Sequence, residues 1–301
     1  MIIDAHQHVW DLTRAPYPWL GPHVPHWNRN FGFEELLPHL SRNGVDATVM
    51  VQSDDHDGDT DLMFEVADAH PTVVAIVAYL PLDRPEHAAA RLADLRRDDR
   101  VVGIRNLVHH KADRDWIVSA DVDEGLAILE DGDVAFDLVS NLPRHLAHVP
   151  TLSERHPGLR IVIDHLAKPP IGERDVEPWW SLIAAAAQNP LVTAKISDLY
   201  PESGNWTVDG IRPFIDRALE VFGPERLMFG GDWPISVAGG GYDRVFAGLQ
   251  SALSGLDAED ARHIWSETAR RTYRIAPARL EAARSASLAS SPPDPRPNIG
   301  V

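Results

Sequence analysis

Two imidazoles stand one residue apart near the start of the chain, His6 and His8 in MIIDAHQHVW. On a β-strand, residues i and i+2 point to the same face, so the two rings would converge. Converging imidazoles can share a metal ion, or hold a water or a carbonyl oxygen. With 15 histidines in 301 residues the pair is also open to accident, so its meaning depends on what else meets it. Further groups able to do chemistry fall at the ends of apolar runs: Gln52, Tyr79, Arg105, Asp137, His165, Lys195 and Asp232. A buried strand ending in such a side chain must give it a partner, water or a ligand. One such ending is usually a structural hydrogen bond. Several converging on one rim read as a site.

Eight β-rich runs carry these endings: 2–9, 47–53, 73–80, 101–107, 134–140, 159–166, 191–197 and 226–233. Most are nearly continuous in Val, Ile and other apolar residues, as parallel strands buried on both faces require. Helical patterns lie between them at 33–44, 59–70, 86–97, 142–158 (interrupted at Pro150), 179–190 and 210–223. Eight strands alternating with helices predict a (β/α)8 TIM barrel of α/β class, with strand C-terminal ends forming the site. An open doubly wound sheet is disfavoured by the count and by the lack of a Gly-rich phosphate loop after the first strand. Residues 1–276 are expected to form one domain, and the Pro/Ser/Ala-rich stretch 277–301 a flexible or loosely docked tail. Residues 10–32, aromatic and Pro-rich, read either as a lid or pocket wall or as a packed surface loop.

Composition narrows the function class. A net charge of −17 argues against nucleic acid or an anionic membrane as the main partner. There is no cysteine, which removes thiolate catalysis, cysteine–zinc sites and disulfides. No apolar run approaches the roughly 18 residues of a membrane span, and the N-terminus lacks a signal-peptide pattern. A cytoplasmic protein acting on a small molecule is expected, with homo-oligomerisation left open.

His6-Gln7-His8, IDHLAKP around His165 and FGGDWP around Asp232 together resemble the amidohydrolase superfamily. They are most similar to its family-2 branch of sugar-lactone and dicarboxylate-lactone hydrolases. Fuconolactonase-like and rhamnonolactonase-like members begin with a similar Asp-x-His-x-His-x-Trp and share the GGDWP ending. The resemblance runs from residue 2 to the RRTYRI helix near 275. It implies a barrel hydrolase of carbohydrate metabolism that opens a small cyclic ester. Binuclear members of the superfamily carry a bridging lysine or glutamate and two further histidines on successive later strands. Here the fourth strand offers Arg105, the fifth Asp137, the sixth His165 and the seventh Lys195, so a binuclear centre is not expected. Either no metal or a single Zn²⁺ or Mn²⁺, held by His6, His8, His165 and Asp232, fits these residues.

Lactone opening needs a base for water, a positive group or donor for the oxyanion, and a proton for the leaving oxygen. Asp232 is the expected base. His6, His8 and His165 would hold the water, the carbonyl or a metal, and Arg105 and Lys195 would supply positive charge. A rival reading has Arg105 and Lys195 neutralising Asp137 or Asp198 in a barrel-mouth ion network. Gln52, Tyr79, Asp137, Trp10, Trp233 and His56 are candidate substrate contacts. His109, His110, Asp54 and Asp55 read as solvated rim residues. A mononuclear metal-dependent amidohydrolase or decarboxylase, and a catalytically inactive ligand-binding barrel, are the competing functions.

Overall fold

The computed structural model describes residues 1–201 and 205–290. Eight parallel strands pair in chain order: β1 (Ile3–Gln7), β2 (Ala47–Val51), β3 (Val73–Ala78), β4 (Val101–Asn106), β5 (Ala135–Leu138), β6 (Ile161–Ile163), β7 (Val192–Ile196) and β8 (Leu227–Phe229). Every residue in them is buried, which is why they read as continuous apolar runs. A parallel bridge between Gln7 and Trp233 joins the last strand to the first, with His8 N donating to Trp233 O at 2.8 Å. The (β/α)8 barrel is thereby established.

Helices form at all six predicted stretches with ends shifted by a few residues, and those at Ala120–Asp131 and Tyr242–Ala252 lie outside the predicted pattern. The helices are α1 (Leu37–Asn43), α2 (Asp57–Ala69), α3 (Pro85–Leu95), α4 (Ala120–Asp131), α5 (Pro143–Ala147), α6 (Val149–Arg155), α7 (Trp179–Ala186), α8 (Val208–Phe222) and α9 (Tyr242–Ala252). The break expected at Pro150 separates α5 from α6, with the proline in the first turn of α6, where its missing N–H costs nothing. After α9 come α10 (Ala258–Arg262), α11 (Thr268–Thr272) and α12 (Pro277–Ser290). Leu280 and Ala283 of α12 are buried in the same cluster as Ala47, Val49 and Ala75. Residues 291–301 of the expected tail lie outside the described residues.

Strand alternation sets what fills the barrel. Ile3 and Ala5, Ala47, Val49 and Val51, and Ala75 and Val77 recur every second residue in one buried cluster. The same period carries Ala135 on to Asp137 and Val162 on to Asp164. The interior is therefore apolar below and charged in the layer beneath the mouth.

Candidate active site

The GGDWP stretch lies where β8 is clamped against β1. Asp4, fully buried, accepts from Gly231 N at 2.8 Å, His6 N at 3.1 Å and Tyr242 Oη at 2.7 Å, and also from Gln7 Nε2. The glycines permit this approach. A Cβ on Gly230 would come within 2.7 Å of the His6 Cβ, and one on Gly231 would overlap the Tyr242 ring and the Asp4 carboxylate. Gly231→Ala should therefore cost about 2–3 kcal/mol of stability from overpacking. Thermal melts should show the loss, whereas Gly255→Ala, where nothing lies within 4 Å, should leave Tm unchanged. Equal Tm values for the two variants would contradict the clamp.

This clamp brings Asp232 onto the histidine pair. His6 Nε2 and His8 Nε2 stand 3.0 Å apart, as their i, i+2 spacing requires. Asp232 Oδ1 is 3.3 Å from His8 Nε2 and 3.6 Å from His6 Nε2. The His165 ring lies 4.5 Å from that of His6, centroid to centroid. His8 Nδ1 donates to Val51 O at 2.8 Å, because a carbonyl can only accept, so its Nε2 presents a lone pair. His6 Nε2 faces the Arg105 Nη1 donor at 3.3 Å and likewise presents a lone pair.

Burial dominates the titration of all three rings. It holds His6 and His165 well below the usual histidine range and His8 below it, against the opposing pull of nearby carboxylates. Burial also pushes the Asp232 carboxyl up, but His165, His8 and Lys168 outweigh it and leave the group below its ordinary value. A carboxylate and three neutral imidazoles result. Neither Asp232 oxygen has a hydrogen-bond partner among the described residues.

The His8 Nε2 lone pair, the His6 Nε2 lone pair (which the Arg105 guanidinium also faces) and the Asp232 carboxylate converge, a donor set that suits a cation. For metal–ligand bonds of about 2.0–2.1 Å, tetrahedral donors stand about 3.3 Å apart. The 3.0, 3.3 and 3.6 Å separations of His6, His8 and Asp232 bracket that figure. His6, Asp164 and His165, and His165, Asp198 and Asp232, form two overlapping groups of candidate ligands. The residues thus fit a single divalent ion of zinc type.

Beneath these groups lies a sealed ion network. Lys195 Nζ donates to Asp137 Oδ2 at 2.6 Å and is 3.0 Å from Asp164 Oδ1 and 3.1 Å from His6 Nδ1. Arg105 Nη1 donates to Asp164 Oδ2 at 3.0 Å, and its Nη2 donates to Gln52 O. Tyr273, after α11, donates its hydroxyl to Asp137 Oδ2 at 2.6 Å. Lys195 and Asp137 are completely buried and are not among the residues lining the cavity above His8 and His165. The pairing of Lys195 with Asp137 is the contact that the ion-network reading expected.

A cavity opens above the site, lined by His8, Trp10, Arg105, His165 and Asp232 among the predicted residues. The others lie elsewhere. Gln52 braces Arg105, its Nε2 donating to Arg105 O at 3.0 Å. Tyr79 does not line the cavity, and Trp233 packs edge-on against Phe31. The exposed His56 caps α2, its Nδ1 accepting from Gly58 N at 3.0 Å. Sequence reasoning missed other lining residues: Trp19 and Trp27 from the 10–32 loop, Lys168 and Asp198. His109 and His110, read as solvated rim residues, both line the cavity; His110 is exposed, whereas burial pushes His109 down to about 3. Lys168 stood inside the IDHLAKP motif but beyond the strand end, where strand periodicity has nothing to say.

An amidohydrolase family profile matches residues 3–275. The chain is 35% identical over 278 residues to an L-fucono-1,5-lactonase of Burkholderia ambifaria, covering 91% of this chain and 95% of the relative. It is 31% identical over 287 residues to an L-fucono-1,5-lactonase of Burkholderia multivorans, covering 91% and 96%. Among solved structures, an amidohydrolase from Burkholderia multivorans with bound zinc superimposes with a TM-score of 0.85 at 29% identity, covering 92% of this chain and all of that one.

Proposed function

The chain belongs to the amidohydrolase family, and from that premise we propose that it hydrolyses small sugar lactones, 1,5-lactones first among them, with Asp232 as general base. The observation that carries this reading is a buried carboxylate facing the cavity with neither oxygen hydrogen-bonded among the described residues. Such a carboxylate can take the proton of a water placed over the carbonyl carbon of a bound lactone. Hydroxide adds to that carbon, and the carbonyl oxygen gains charge beside the Arg105 guanidinium. As the ring C–O bond breaks, protonated Asp232 returns its proton to the departing oxygen. The product acid then ionises and releases one proton to solvent. A bound divalent ion at His6, His8 and Asp232 would supply Lewis acidity toward the water and the carbonyl. The indoles of Trp10, Trp19 and Trp27 would cover the ring, and Trp27 Nε1, buried without a partner among the described residues, can donate to a hydroxyl.

A panel of sugar 1,4- and 1,5-lactones, L-fucono-1,5-lactone included, and simple aliphatic lactones tests the proposal with a pH indicator. Acidification well above the buffer rate is expected for at least one sugar lactone. A fully folded protein that opens none of them would end this reading. Protein equilibrated with Zn²⁺ and washed should retain about one equivalent, and a chelator should remove it. The washed His8→Asn variant should retain far less, since one of three converging donors is gone. Equal zinc in both, by elemental analysis, would place the ion elsewhere.

A further inference from the structure

Four consecutive residues after β6 adopt left-handed backbone angles: His165 (φ 56°), Leu166 (φ 48°), Ala167 (φ 57°) and Lys168 (φ 52°). None is glycine, and each such residue costs roughly 1–2 kcal/mol over the right-handed form. Runs of this kind persist only where the surroundings over-determine them, and they cluster where a side chain must be aimed. Here Lys168 N donates to His165 O at 2.9 Å, closing one turn, and Trp179 Nε1 donates to Leu166 O at 2.7 Å. In a turn of about three residues the first and fourth share a side. His165 and Lys168 therefore face the same cavity, and both line it.

Two adjacent residues after β7 clasp those side chains. The Ser197 hydroxyl is 2.8 Å from His165 Nδ1, and Asp198, itself at φ 49°, forms an ion pair with Lys168. Asp198 is 5% exposed, so the carboxylate that holds the ammonium is almost wholly withdrawn from solvent. Ligand atoms of His165, Asp198 and Asp232 lie within 4.8 Å of one another, which brings the clasp beside the proposed base. Arg105 enters from β4 and is bound to Asp164, the residue before His165, and to the Gln52 carbonyl.

Resting on the lactonase reading above, the geometry points to Lys168 as a second catalytic cation, donating a hydrogen bond to the ring oxygen that leaves as the lactone opens. Asp198 is its positioning residue. The carbonyl oxygen and the ring oxygen are bonded to the same carbon and diverge from it. With Arg105 beside the first, the β6–β7 side of the cavity meets the second. No proton is consumed at Lys168: the ammonium stabilises the developing alkoxide by charge and hydrogen bond, and Asp232 delivers the proton. This is the role expected of Lys195, performed by a lysine that reaches the cavity.

The test compares wild type, Lys168→Met, Lys168→Arg and Asp198→Asn on an aliphatic 1,5-lactone and on dihydrocoumarin, whose leaving oxygen is a far less basic phenolate. Lys168→Met should lower kcat on the aliphatic lactone by roughly 100-fold, the scale of one lost oxyanion donor. On dihydrocoumarin the loss should be under about tenfold, because little charge needs stabilising there. Lys168→Arg should recover about tenfold of the aliphatic loss. Asp198→Asn should show the same leaving-group dependence in kcat with a smaller change in KM. A purely structural role would lower both lactones equally, and that result overturns the inference, as does an unaffected Met variant. If Lys168→Met fails to fold, the Arg and Asn variants decide by the same ratio; if wild type leaves dihydrocoumarin intact, the Met-to-Arg difference on the aliphatic lactone decides. Wild type inactive on every lactone would overturn the lactonase reading and this inference with it. Active wild type with unaffected variants overturns the inference alone.

Discussion

Asp232→Asn is expected to lower kcat for lactone hydrolysis by roughly 1,000-fold while leaving Tm within a few degrees of wild type. The amide has the shape of the carboxylate but cannot accept the water's proton. Folding should tolerate the change because Asp232 is held through its backbone, its N donating to His6 O at 2.8 Å and its O accepting from Ser236 N at 2.8 Å. Its φ of 50° is one that Asn adopts readily. Steady-state kinetics and a thermal melt on the same preparation check both halves. Wild-type kcat in the Asn variant would remove Asp232 from the mechanism. Because the carboxyl sits below its ordinary value, kcat/KM should stay flat as pH falls from 8 to 6. An acid limb centred at about 6.5 would point to a different base.

Lys195→Met should be the most damaging single change to stability, at about 3–5 kcal/mol, or roughly 10 °C in Tm. The ammonium lies in a fully buried layer between Asp137 and Asp164, and its removal leaves two carboxylates there with Arg105 as the nearest compensation. Burial already pushes Asp137 up to about 6 with the lysine present, and losing the lysine raises it further. An acid with a raised native pKa binds more protons folded than unfolded, so its stability contribution grows as pH falls through the native pKa. The deficit of Lys195→Met relative to wild type should therefore shrink between pH 7.5 and 5. Adding Asp137→Asn should recover part of the loss at neutral pH, since the amide needs no counter-charge and its oxygen can still accept from Tyr273. A deficit under 1 kcal/mol, or one that the double variant deepens, would show that the network does not hold the barrel interior.

The eight strands were legible because a parallel strand buried on both faces has one composition, nearly unbroken Val, Ile and Ala. Helix ends were less so: α1 begins after a short 3-10 turn at Phe33–Glu35, a local choice that apolar spacing does not encode. His6, His8, His165 and Asp232 were legible because each lies within three residues of the C-terminal end of a strand, and barrel topology sends all strand ends to one rim. The GGDWP glycines have a physical account only in three dimensions, where His6 and Asp4 press against positions with no room for a Cβ.

Lys195 and Lys168 mark the boundary most sharply. The run of eight apolar strands alternating with helices let the sequence alone determine the barrel, and it offered Lys195 as a residue near the end of the seventh strand. Depth along the barrel axis is another matter, because it depends on register and stagger between strands far apart in the chain. Lys168 reaches the cavity through a left-handed turn that its own residues disfavour and that contacts from Trp179, Ser197 and Asp198 support. Which lysine lines the cavity was decided by tertiary contacts, since only they can hold a backbone in a conformation that local preference opposes.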